Sequence, residues 1–263
     1  MPYKFIQVEK RDHQTVVTIN RPEVLNALHP PASREMDEVF NEFSEDSEAW
    51  VAIITGTGER AFSAGNDLKW QAEHGYLAVR EALQSLKGGF GGITRRFACF
   101  KPLIAAVNGL ALGGGLEIVL ACDIVVAAEH AFFGLPEPRV GLIPGAGGLH
   151  RLPRHVPYHL AMELIMTGRR VSAQEADRIG LINEIVPAKD LMPTAEKYAA
   201  MILECAPLAI RASKEAALRG LSLSLEQAMD EVFPGMVALR ESEDSVEGPK
   251  AFAEKRKPQW KGK

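Results

Sequence analysis

Residues 111–123, ALGGGLEIVLACD, decide how this chain is expected to fold. Three consecutive glycines, Gly113, Gly114 and Gly115, precede an apolar run that contains one carboxylate, Glu117. Glycine is favoured where the backbone bends sharply or approaches another atom closely, so these glycines predict a tight turn beside a ligand. The apolar run predicts a short core helix whose first turn presents free N–H groups and a partial positive charge.

Apolar segments on both sides of this helix predict a mixed α/β fold. The predicted strands are 5–9, 15–19, 51–55 (VAIIT), 103–107 (LIAAV) and 124–128 (IVVAA), and a helix is predicted at about 33–44. Strands that alternate with helices favour largely parallel pairing, with the loops gathered at one end of the sheet. Functional residues are concentrated on such loops, so we expect the site there.

From about residue 172 the sequence predicts mainly helices. SAQE at 172–175 and SLEQ at 224–227 have the pattern of capping boxes at helix starts. At 263 residues the chain is near the upper limit of a single hydrophobic core, and no linker rich in Pro, Gly or Ser divides it. We therefore expect one large domain with a helical appendage that serves assembly.

The composition excludes several classes of protein. Hydrophobic residues at 46% and charged residues at 24% are ordinary globular values, and a net charge of -4 offers no general attraction for nucleic acid or an anionic membrane. The apolar runs are shorter than a membrane span, and the N-terminus has no signal-peptide core. Cys99, Cys122 and Cys205 lack metal or redox spacing, so a reduced, cytoplasmic location is expected.

Two further stretches carry candidate chemistry. In FFGLPEPRVGLIPGAGG (132–148), prolines on both sides of Glu137 predict a stiff extended loop that presents this carboxylate. In AFSAGNDLKW (61–70), backbone N–H groups after Gly65 face the glycine-led helix if the loops meet, and two converging N–H groups form an oxyanion hole. Each acid also has a structural explanation: Glu117 suits a helix N-terminus, and Glu137 suits a solvated loop.

The sequence argues against other chemistries. Ser63 lacks the first glycine of a G-x-S-x-G elbow, so a serine hydrolase is not expected. GTGERA at 56–61 lacks the third glycine of a dinucleotide fingerprint, and no phosphate-binding loop is present, so NAD and ATP are not expected. Prolines separate His150, His155 and His159 and interrupt any helix that would align them, so no metal site is expected among them.

Taken together, AFSAGNDL, NGLALGGGLEIVLACD and FGLPEPRVGLIPGAGG resemble the crotonase superfamily, specifically its enoyl-CoA hydratases. The resemblance implies an α/β spiral of ββα units over residues 1–200 that holds the active site. It implies a helical region over 201–263 for trimerisation and CoA capping. It also implies acyl-CoA thioester substrates, no separate cofactor because CoA is part of the substrate, and a homotrimer or a dimer of trimers.

The resemblance also assigns residue roles. The oxyanion-hole donors fall on the backbone N–H groups of Asn66 and Gly114, and the catalytic glutamates fall on Glu117 and Glu137. Hydration needs a base for water at the β carbon and an acid for the α carbon. The implied roles are Glu117 as base, Glu137 as acid, and Gly145 lining the water site, with dehydration as the reverse. Because two acids that face one water cannot easily both ionise, one raised pKa is expected.

Residues for CoA follow from the same resemblance. The loops that would hold the pantetheine and adenine contain Val24, Leu25, Ala64, Asp67, Leu68 and Lys69. In the tail segment AFAEKRK, Phe252 and Lys255 would lie near the nucleotide bound to a neighbouring subunit. Ordinary packing of the phenylalanine and a solvated lysine are the structural alternatives.

One departure from the hydratase pattern leaves a second activity open. Hydratases usually have alanine where Asn66 stands, and G-N-D-L occurs in some enoyl-CoA isomerases of the superfamily. Only a backbone N–H is required at this position, so the oxyanion hole is kept. Those isomerases typically have an acid only at the position of Glu137, so Glu117 favours hydration.

Several stretches, 88–97, 166–170 and 243–262, resemble carnitinyl-CoA dehydratases more than generic hydratases. A trimethylammonium acyl group favours aromatic faces or an acid. In the segment 69–97 such groups are Trp70, Glu73, Tyr76, Phe90 and Phe97, but the segment also carries Lys87, Arg95 and Arg96. These three would repel a cation if they faced inward.

A function of another class, RNA binding, is known in the superfamily. KEAALR at 214–219 and EKRKPQWKGK at 254–263 supply local basic charge, although a solvated helix face and a free tail explain both stretches. Given the acidic total, no nucleic-acid partner is expected. The acyl chain, the direction of the reaction in the cell, and trimer against hexamer stay open.

Overall fold

The computed structural model describes residues 3–263 and contains two sheets, with strands numbered in chain order. The larger sheet consists, in spatial order, of β1 (Ile6–Arg11), β2 (Gln14–Ile19), β3 (Val51–Gly56), β5 (Leu103–Val107), β7 (Ile124–Ala128) and β10 (Glu184–Val186). The smaller sheet consists of β4 (Ala61–Ser63), β6 (Leu110–Leu112), β8 (Phe132–Gly134) and β9 (Arg170–Ser172). Pairing is antiparallel for β1 with β2 and for β8 with β9, and parallel for the other neighbours.

Consecutive strands alternate between the two sheets. The pairs β3 and β4, β5 and β6, and β7 and β8 each place one strand in the larger sheet and the next in the smaller. The chain therefore advances as a spiral, and the predicted crotonase-type α/β fold is confirmed. The strands β4, β6, β8, β9 and β10 were not predicted, because three residues are too few to show a periodic pattern.

The central strands of the larger sheet are almost continuously apolar, with Thr55 in β3 as the polar exception, because both faces are covered. In β3, Ala52 and Ile54 belong to one hydrophobic cluster, and Val51 and Ile53 belong to another on the opposite face. Parallel strands buried on both faces have this continuous apolar pattern rather than an alternating one. The sequence segments VAIIT, LIAAV and IVVAA were therefore sufficient to locate β3, β5 and β7.

Twelve α-helices surround the sheets in the described part of the chain. They are α1 (Pro30–Glu45), α2 (Leu68–His74), α3 (Tyr76–Gln84), α4 (Gly114–Val119), α5 (Gly148–His155), α6 (Tyr158–Thr167), α7 (Ala173–Arg178), α8 (Leu191–Leu203), α9 (Pro207–Gly220), α10 (Leu225–Asp230), α11 (Pro234–Arg240) and α12 (Glu243–Ala253). Within residues 3–263, none of them combines the length and the apolar character needed to cross a bilayer.

Both predicted helix starts are capped, but only one of the two predicted capping boxes is complete. The Ser172 side chain accepts the N–H of Glu175 at the start of α7, and Ser224 and Gln227 form a reciprocal capping box at the start of α10. Helix α8 packs on the larger sheet through Leu191, Ala195 and Ala199. The helices α9 to α12 then pack on one another, α9 against both α10 and α11 and α11 against α12.

The loop after β4 and the start of α4 approach each other unusually closely. A methyl group on Gly65 would lie 2.6 Å from the Leu112 carbonyl oxygen and 2.8 Å from the Gly114 nitrogen. A methyl group on Gly115 would collide with the Ser63 carbonyl oxygen. Since these neighbours are backbone atoms, they cannot move aside cheaply, and glycine is required.

The substitution Gly115→Ala is expected to lower the free energy of unfolding by about 1–3 kcal/mol, the usual cost of overpacking a dense core. The matched control is Gly220→Ala at the end of α9, where the methyl would lie 3.4 Å from the Ala228 Cβ, an ordinary contact. The control is expected to be neutral or slightly stabilising. Urea unfolding followed by circular dichroism measures both, and equal transition midpoints for the two variants would contradict the close approach.

Candidate active site

The Glu117 carboxylate is buried at the start of a short helix. It lies in the first turn of α4, is 3% exposed, and its Oε1 accepts the backbone N–H of Gly148 at 2.8 Å. The pKa of Glu117 is raised to about 7, chiefly by burial and to a smaller extent by the nearby charge of Glu137. The N–H groups of Gly148 and Ala146 and the charge of Arg151 oppose this shift. The carboxyl is thus poised to exchange a proton near neutral pH.

The Glu137 carboxylate lies over the N-terminal end of the same helix. A methyl group on Gly113 would be 2.8 Å from Glu137 Oε1, so the carboxylate contacts the glycine turn that precedes α4. Its Oε2 is buried without a hydrogen-bond partner among residues 3–263, and burial raises the pKa of this carboxyl as well. We expected one raised pKa for the pair, whereas burial raises the pKa of both.

The backbone that carries Glu137 differs from the predicted extended loop. Glu137–Val140 forms a 3-10 turn that ends at Gly141 in the left-handed conformation (φ 72°). Pro138 is compatible with this turn because the first residues of a helix need no N–H partner within the helix. The prediction of an extended loop was therefore wrong, although the proline-bounded carboxylate does face the site.

Backbone pairing leaves two N–H groups free beside these acids. In a parallel bridge between Leu28 and Asn66, Leu28 donates to the Gly65 carbonyl at 2.7 Å and accepts from Asp67 at 3.0 Å. The Asn66 N–H therefore points away from Leu28. Within residues 3–263, neither this N–H nor that of Gly114 donates a hydrogen bond. Two free donors at the point of closest backbone approach have the arrangement of an oxyanion hole.

The side chain of Asn66 is engaged elsewhere. Its Nδ2 donates to Gln71 Oε1 in α2 at 2.6 Å. The next residue, Asp67, caps α2 by accepting the N–H of Trp70 at 3.1 Å and forms a buried ion pair with Arg21 at 3.0 Å. Asn66 and Asp67 thus both bind the loop to α2. The Asn66 side chain, which an alanine would lack, supplies one of these hydrogen bonds.

The loops that the resemblance assigns to CoA form one surface. The Leu25 carbonyl accepts the N–H of Ala64 at 2.9 Å, which joins the 3-10 turn Pro22–Val24 to the loop after β4. Val24, Leu25 and Ala64 are half-buried there, and Leu68 and Lys69 are exposed on the first turn of α2.

The C-terminal residues assigned to a neighbouring nucleotide are both exposed. Phe252 lies on α12 with 87% of its surface exposed, and Lys255 follows the end of that helix. Gly145 is also exposed, in the segment whose Ala146 and Gly148 N–H groups face Glu117. The structure thus brings the segment that contains Gly145 to Glu117, and it leaves Phe252 and Lys255 at the surface.

A cavity of about 500 Å³ that the sequence did not indicate lies at the opposite end of the smaller sheet. It is lined by Leu25, Glu59, Arg60, Leu110, His130 and Ala188. Arg60 and His130 precede β4 and β8, whereas Gly65 and Gly113 follow β4 and β6. This cavity is therefore separate from the glutamates. It shares one residue, Leu25, with the loops that the resemblance assigns to CoA.

The segment 88–97 forms a wall beside the free Gly114 N–H. A methyl group on Gly114 would lie 2.7 Å from the Phe90 Cζ, and Phe90 is 7% exposed. The other aromatic candidates lie elsewhere: Trp70 stacks on His74 with ring centroids 3.7 Å apart, and Tyr76 and Phe97 are exposed. Glu73 is exposed as well. Of the predicted set, Phe90 is the residue brought to the glycine turn.

The three basic residues of this segment, Lys87, Arg95 and Arg96, leave no unpaired positive charge buried beside Phe90. Arg96 is buried in an ion pair with Asp37 at 2.8 Å, Lys87 is 3.8 Å from Glu45 at the surface, and Arg95 is exposed. Asp37 also accepts the N–H of Gly88 at 2.6 Å, so the ion pair anchors the wall. Sequence reasoning missed Asp37, because a polar residue on a surface helix gives no signal of a partner fifty residues away.

Basic residues of the C-terminal stretches are largely paired with acids. Lys214 is 2.5 Å from Asp123, Arg219 is 2.9 Å from Glu215, and Arg256 contacts Glu247 at 2.6 Å. This pairing gives no support to an RNA-binding surface. Among residues 3–263, no group of three or more His, Cys, Asp or Glu side chains has the geometry of a metal site.

Comparison with known proteins gives concordant similarities. A family model described as enoyl-CoA hydratase/isomerase matches residues 9–263. The carnitinyl-CoA dehydratases of Escherichia coli (strain K12) and Proteus sp. (strain LE138) are each 44% identical over 251 residues, which cover 94% of this chain and 94% of theirs. The crystal structure of enoyl-CoA hydratase from Mycobacterium tuberculosis H37Rv is similar over 100% of both chains, with 38% identity and a TM-score of 0.90. That from Bacillus anthracis covers 99% of this chain and 100% of its own, with 38% identity and a TM-score of 0.92.

The buried charge of Glu117 predicts a pH-dependent gain in stability for Glu117→Gln. Because the pKa of Glu117 is about 7 in the folded protein and 4.5 ordinarily, its ionisation destabilises the fold as pH rises through this interval. The neutral amide is expected to raise the free energy of unfolding by about 2–3 kcal/mol at pH 8 and by less than about 1 kcal/mol at pH 5. Urea unfolding at both pH values measures the gain.

The control for this experiment is Glu73→Gln, which changes an exposed carboxylate in α2. It is expected to leave the free energy of unfolding almost unchanged at both pH values. A gain for Glu117→Gln that is equal at pH 5 and pH 8, or a loss at pH 8, would contradict the buried, pKa-shifted carboxylate.

Proposed function

Since this chain belongs to the enoyl-CoA hydratase/isomerase family, we propose that it adds water reversibly to a 2-enoyl-CoA thioester through Glu117 and Glu137. It is an enzyme of the hydro-lyase type. The observation that carries the proposal is the buried Glu117 in the first turn of α4 with the half-buried Glu137 carboxylate over the same helix end, beside two N–H groups without an acceptor. This pair supplies the acid and the base that hydration requires.

The free N–H groups of Asn66 and Gly114 polarise the thioester carbonyl of the substrate by donating hydrogen bonds to its oxygen. The thioester oxygen binds between them and takes up enolate charge as water adds. The Gly114 donor lies at the N-terminus of α4, where the helix dipole stabilises negative charge. One such donor typically contributes about 2.7–4 kcal/mol to transition-state stabilisation, so this site would supply a large part of the rate.

The two carboxyls divide the proton transfers. The ionised Glu117 takes a proton from water as the water oxygen bonds to the β carbon, and protonated Glu137 gives its proton to the α carbon. The carbon–carbon double bond is thereby replaced by one C–O and one C–H bond, and a proton passes from Glu117 back to Glu137, directly or through solvent. Dehydration reverses these steps, and Gly145 lines the water site. The raised pKa of both groups favours one shared proton.

The protein binds its substrate through the CoA moiety, and no separate cofactor takes part. The pantetheine and adenine lie along the joined loops that contain Val24, Leu25, Ala64, Asp67, Leu68 and Lys69. Phe252 and Lys255 of a neighbouring subunit cover the nucleotide. The exposure of Phe252 supports this assignment, because a ring that is 87% exposed in one chain is available to a ligand or subunit.

We place the assembly as a homotrimer or a dimer of trimers, built mainly by residues 201–263. Large apolar side chains are exposed along these helices, among them Leu218, Leu221, Leu225, Met229 and Val246. Such a concentration of exposed apolar surface marks an interaction site. A cytoplasmic location accords with three free cysteines, Cys99, Cys122 and Cys205.

For the acyl group we propose a trimethylammonium acid of the carnitine type. The support is the 44% identity to carnitinyl-CoA dehydratases, together with the buried Phe90 ring at Gly114. Aromatic faces attract quaternary ammonium groups. The pairing of Arg96 with Asp37 removes the repulsion that its charge would otherwise exert.

Both Glu117→Gln and Glu137→Gln are expected to lower kcat for hydration of crotonyl-CoA by about 10²–10⁴-fold, since each removes one proton-transfer group. Loss of the ultraviolet absorbance of crotonyl-CoA measures the rate, and Glu73→Gln is the matched control. In the wild type, kcat/KM is expected to fall below about pH 7, because Glu117 must be ionised to activate water. Full activity in either variant would overturn the two-glutamate mechanism. The protein would be an isomerase instead if the wild type does not hydrate crotonyl-CoA and the Glu117→Gln variant still isomerises a 3-enoyl-CoA.

The acyl proposal predicts turnover of crotonobetainyl-CoA by the wild type. Phe90→Leu is expected to lower kcat/KM for this substrate about 2–30-fold more than for crotonyl-CoA, the fold-change that corresponds to a lost cation–π contact. Phe97→Leu, in which an exposed ring of the same segment is removed, is the control and is expected to treat both substrates alike. Activity on crotonyl-CoA without any on crotonobetainyl-CoA would remove the carnitine-type assignment.

A further inference from the structure

Helix α5 carries a charged side chain that the proposed steps do not use. Arg151 follows Gly148 by three residues, and Gly148 is the residue whose N–H holds the Glu117 carboxylate. The guanidinium lies over the start of the helix, next to Gly147. A methyl group on Gly147 would collide with the Arg151 Nη1, which shows how close the two are. The guanidinium therefore lies at the end of α5 that faces Glu117.

The same side chain reaches the wall beside the glycine turn. Arg151 Nη2 donates to the Thr94 carbonyl at 3.0 Å, and its Cζ is 5.7 Å from the centre of the Phe97 ring. Thr94 is buried, and its hydroxyl donates to the Phe90 carbonyl at 3.0 Å. A chain of two hydrogen bonds thus joins α5 to the residue that packs against Gly114.

The groups that act on Glu117 come from three elements. Glu137 on the 3-10 turn raises the Glu117 pKa, and the N–H groups of Ala146 and Gly148 and the charge of Arg151 lower it. The thiol of Cys122, just after α4, also faces Arg151, and burial raises its pKa so that it is uncharged at neutral pH. Arg151 therefore adds a positive charge to the two N–H groups that partly offset the burial of Glu117.

We propose that Arg151 is a positioning residue for the reaction: its hydrogen bond to Thr94 fixes the guanidinium at the end of α5 that faces Glu117, where its charge favours the anionic carboxylate that water activation needs. The inference rests on the proposed function only for its kinetic consequence. The placement of the guanidinium between the start of α5 and the 88–97 wall is independent of the substrate. Arg151 acts through Glu117 and is not itself required to touch the acyl-CoA.

The kinetic test compares Arg151→Met, Arg151→Lys and Arg154→Met. Arg154 lies on the same helix but is exposed, and its Nη1 donates to the His150 carbonyl within α5. In Arg151→Met the acid limb of the kcat/KM profile for crotonyl-CoA is expected to move up by about 1 pH unit, which lowers activity about tenfold at pH 6. Lysine is expected to restore at least half of the shift, and Arg154→Met to cause none.

A second measurement reports on Glu117 without turnover. The gain in the free energy of unfolding caused by Glu117→Gln grows with pH until the folded carboxyl is fully ionised, and then stays constant. In the Arg151→Met background, this plateau is expected to begin about 1 pH unit higher than with Arg151 present. If the protein lacks hydratase activity, this plateau still tests Arg151, so failure of the proposed function and failure of this inference are distinguishable.

The inference is overturned if Arg151→Met leaves both the acid limb and the stability plateau where they are in the wild type. It is overturned equally if Arg154→Met displaces them as far as Arg151→Met does. A purely structural role for Arg151 would lower kcat/KM by the same factor at every pH, with no displacement of either curve.

Discussion

The close approach of the loop after β4 to the start of α4 is the constraint on which the rest of the site depends. Gly65 and Gly115 lie so near the facing backbone that a side chain at either would collide with it. Because the two segments meet without intervening side chains, the Asn66 and Gly114 N–H groups lie together with no acceptor among residues 3–263. Glu117 and Glu137 then occupy the first turn of α4 and the space over it, so donors and acids converge on one small volume.

The site is built at a cost to stability. Burying a carboxylate is unfavourable unless hydrogen bonds and charges compensate, and Glu117 has the Gly148 N–H and the Arg151 charge only in partial compensation. Glu137 has less, because its buried Oε2 has no hydrogen-bond partner within the described chain. A carboxyl left under-satisfied in this way has a raised pKa, and such local violations of good packing are typical of functional sites.

The wall formed by the segment 88–97 is held in place by polar contacts behind it. The Asp37–Arg96 ion pair, the Gly88 N–H bonded to Asp37 and the Thr94 hydroxyl bonded to Phe90 fix the segment 88–97 on α1. Phe90 is therefore a fixed boundary beside the free Gly114 N–H. The pKa values of the two acids are raised by burial, while a polar network behind the wall fixes its position.

Sequence alone determined the strands β3, β5 and β7, the capped starts of α7 and α10, and the candidacy of Glu117, Glu137 and the glycine turn. Each of these depends on neighbours within a few residues, or on motifs that resemble a family. Only the tertiary structure decided the three-residue strands, the 3-10 turn at Glu137, the pairing of Arg96 with Asp37, and the position of Arg151 beside Glu117. These features depend on groups far apart in the chain, whose pairing and burial a local pattern does not encode.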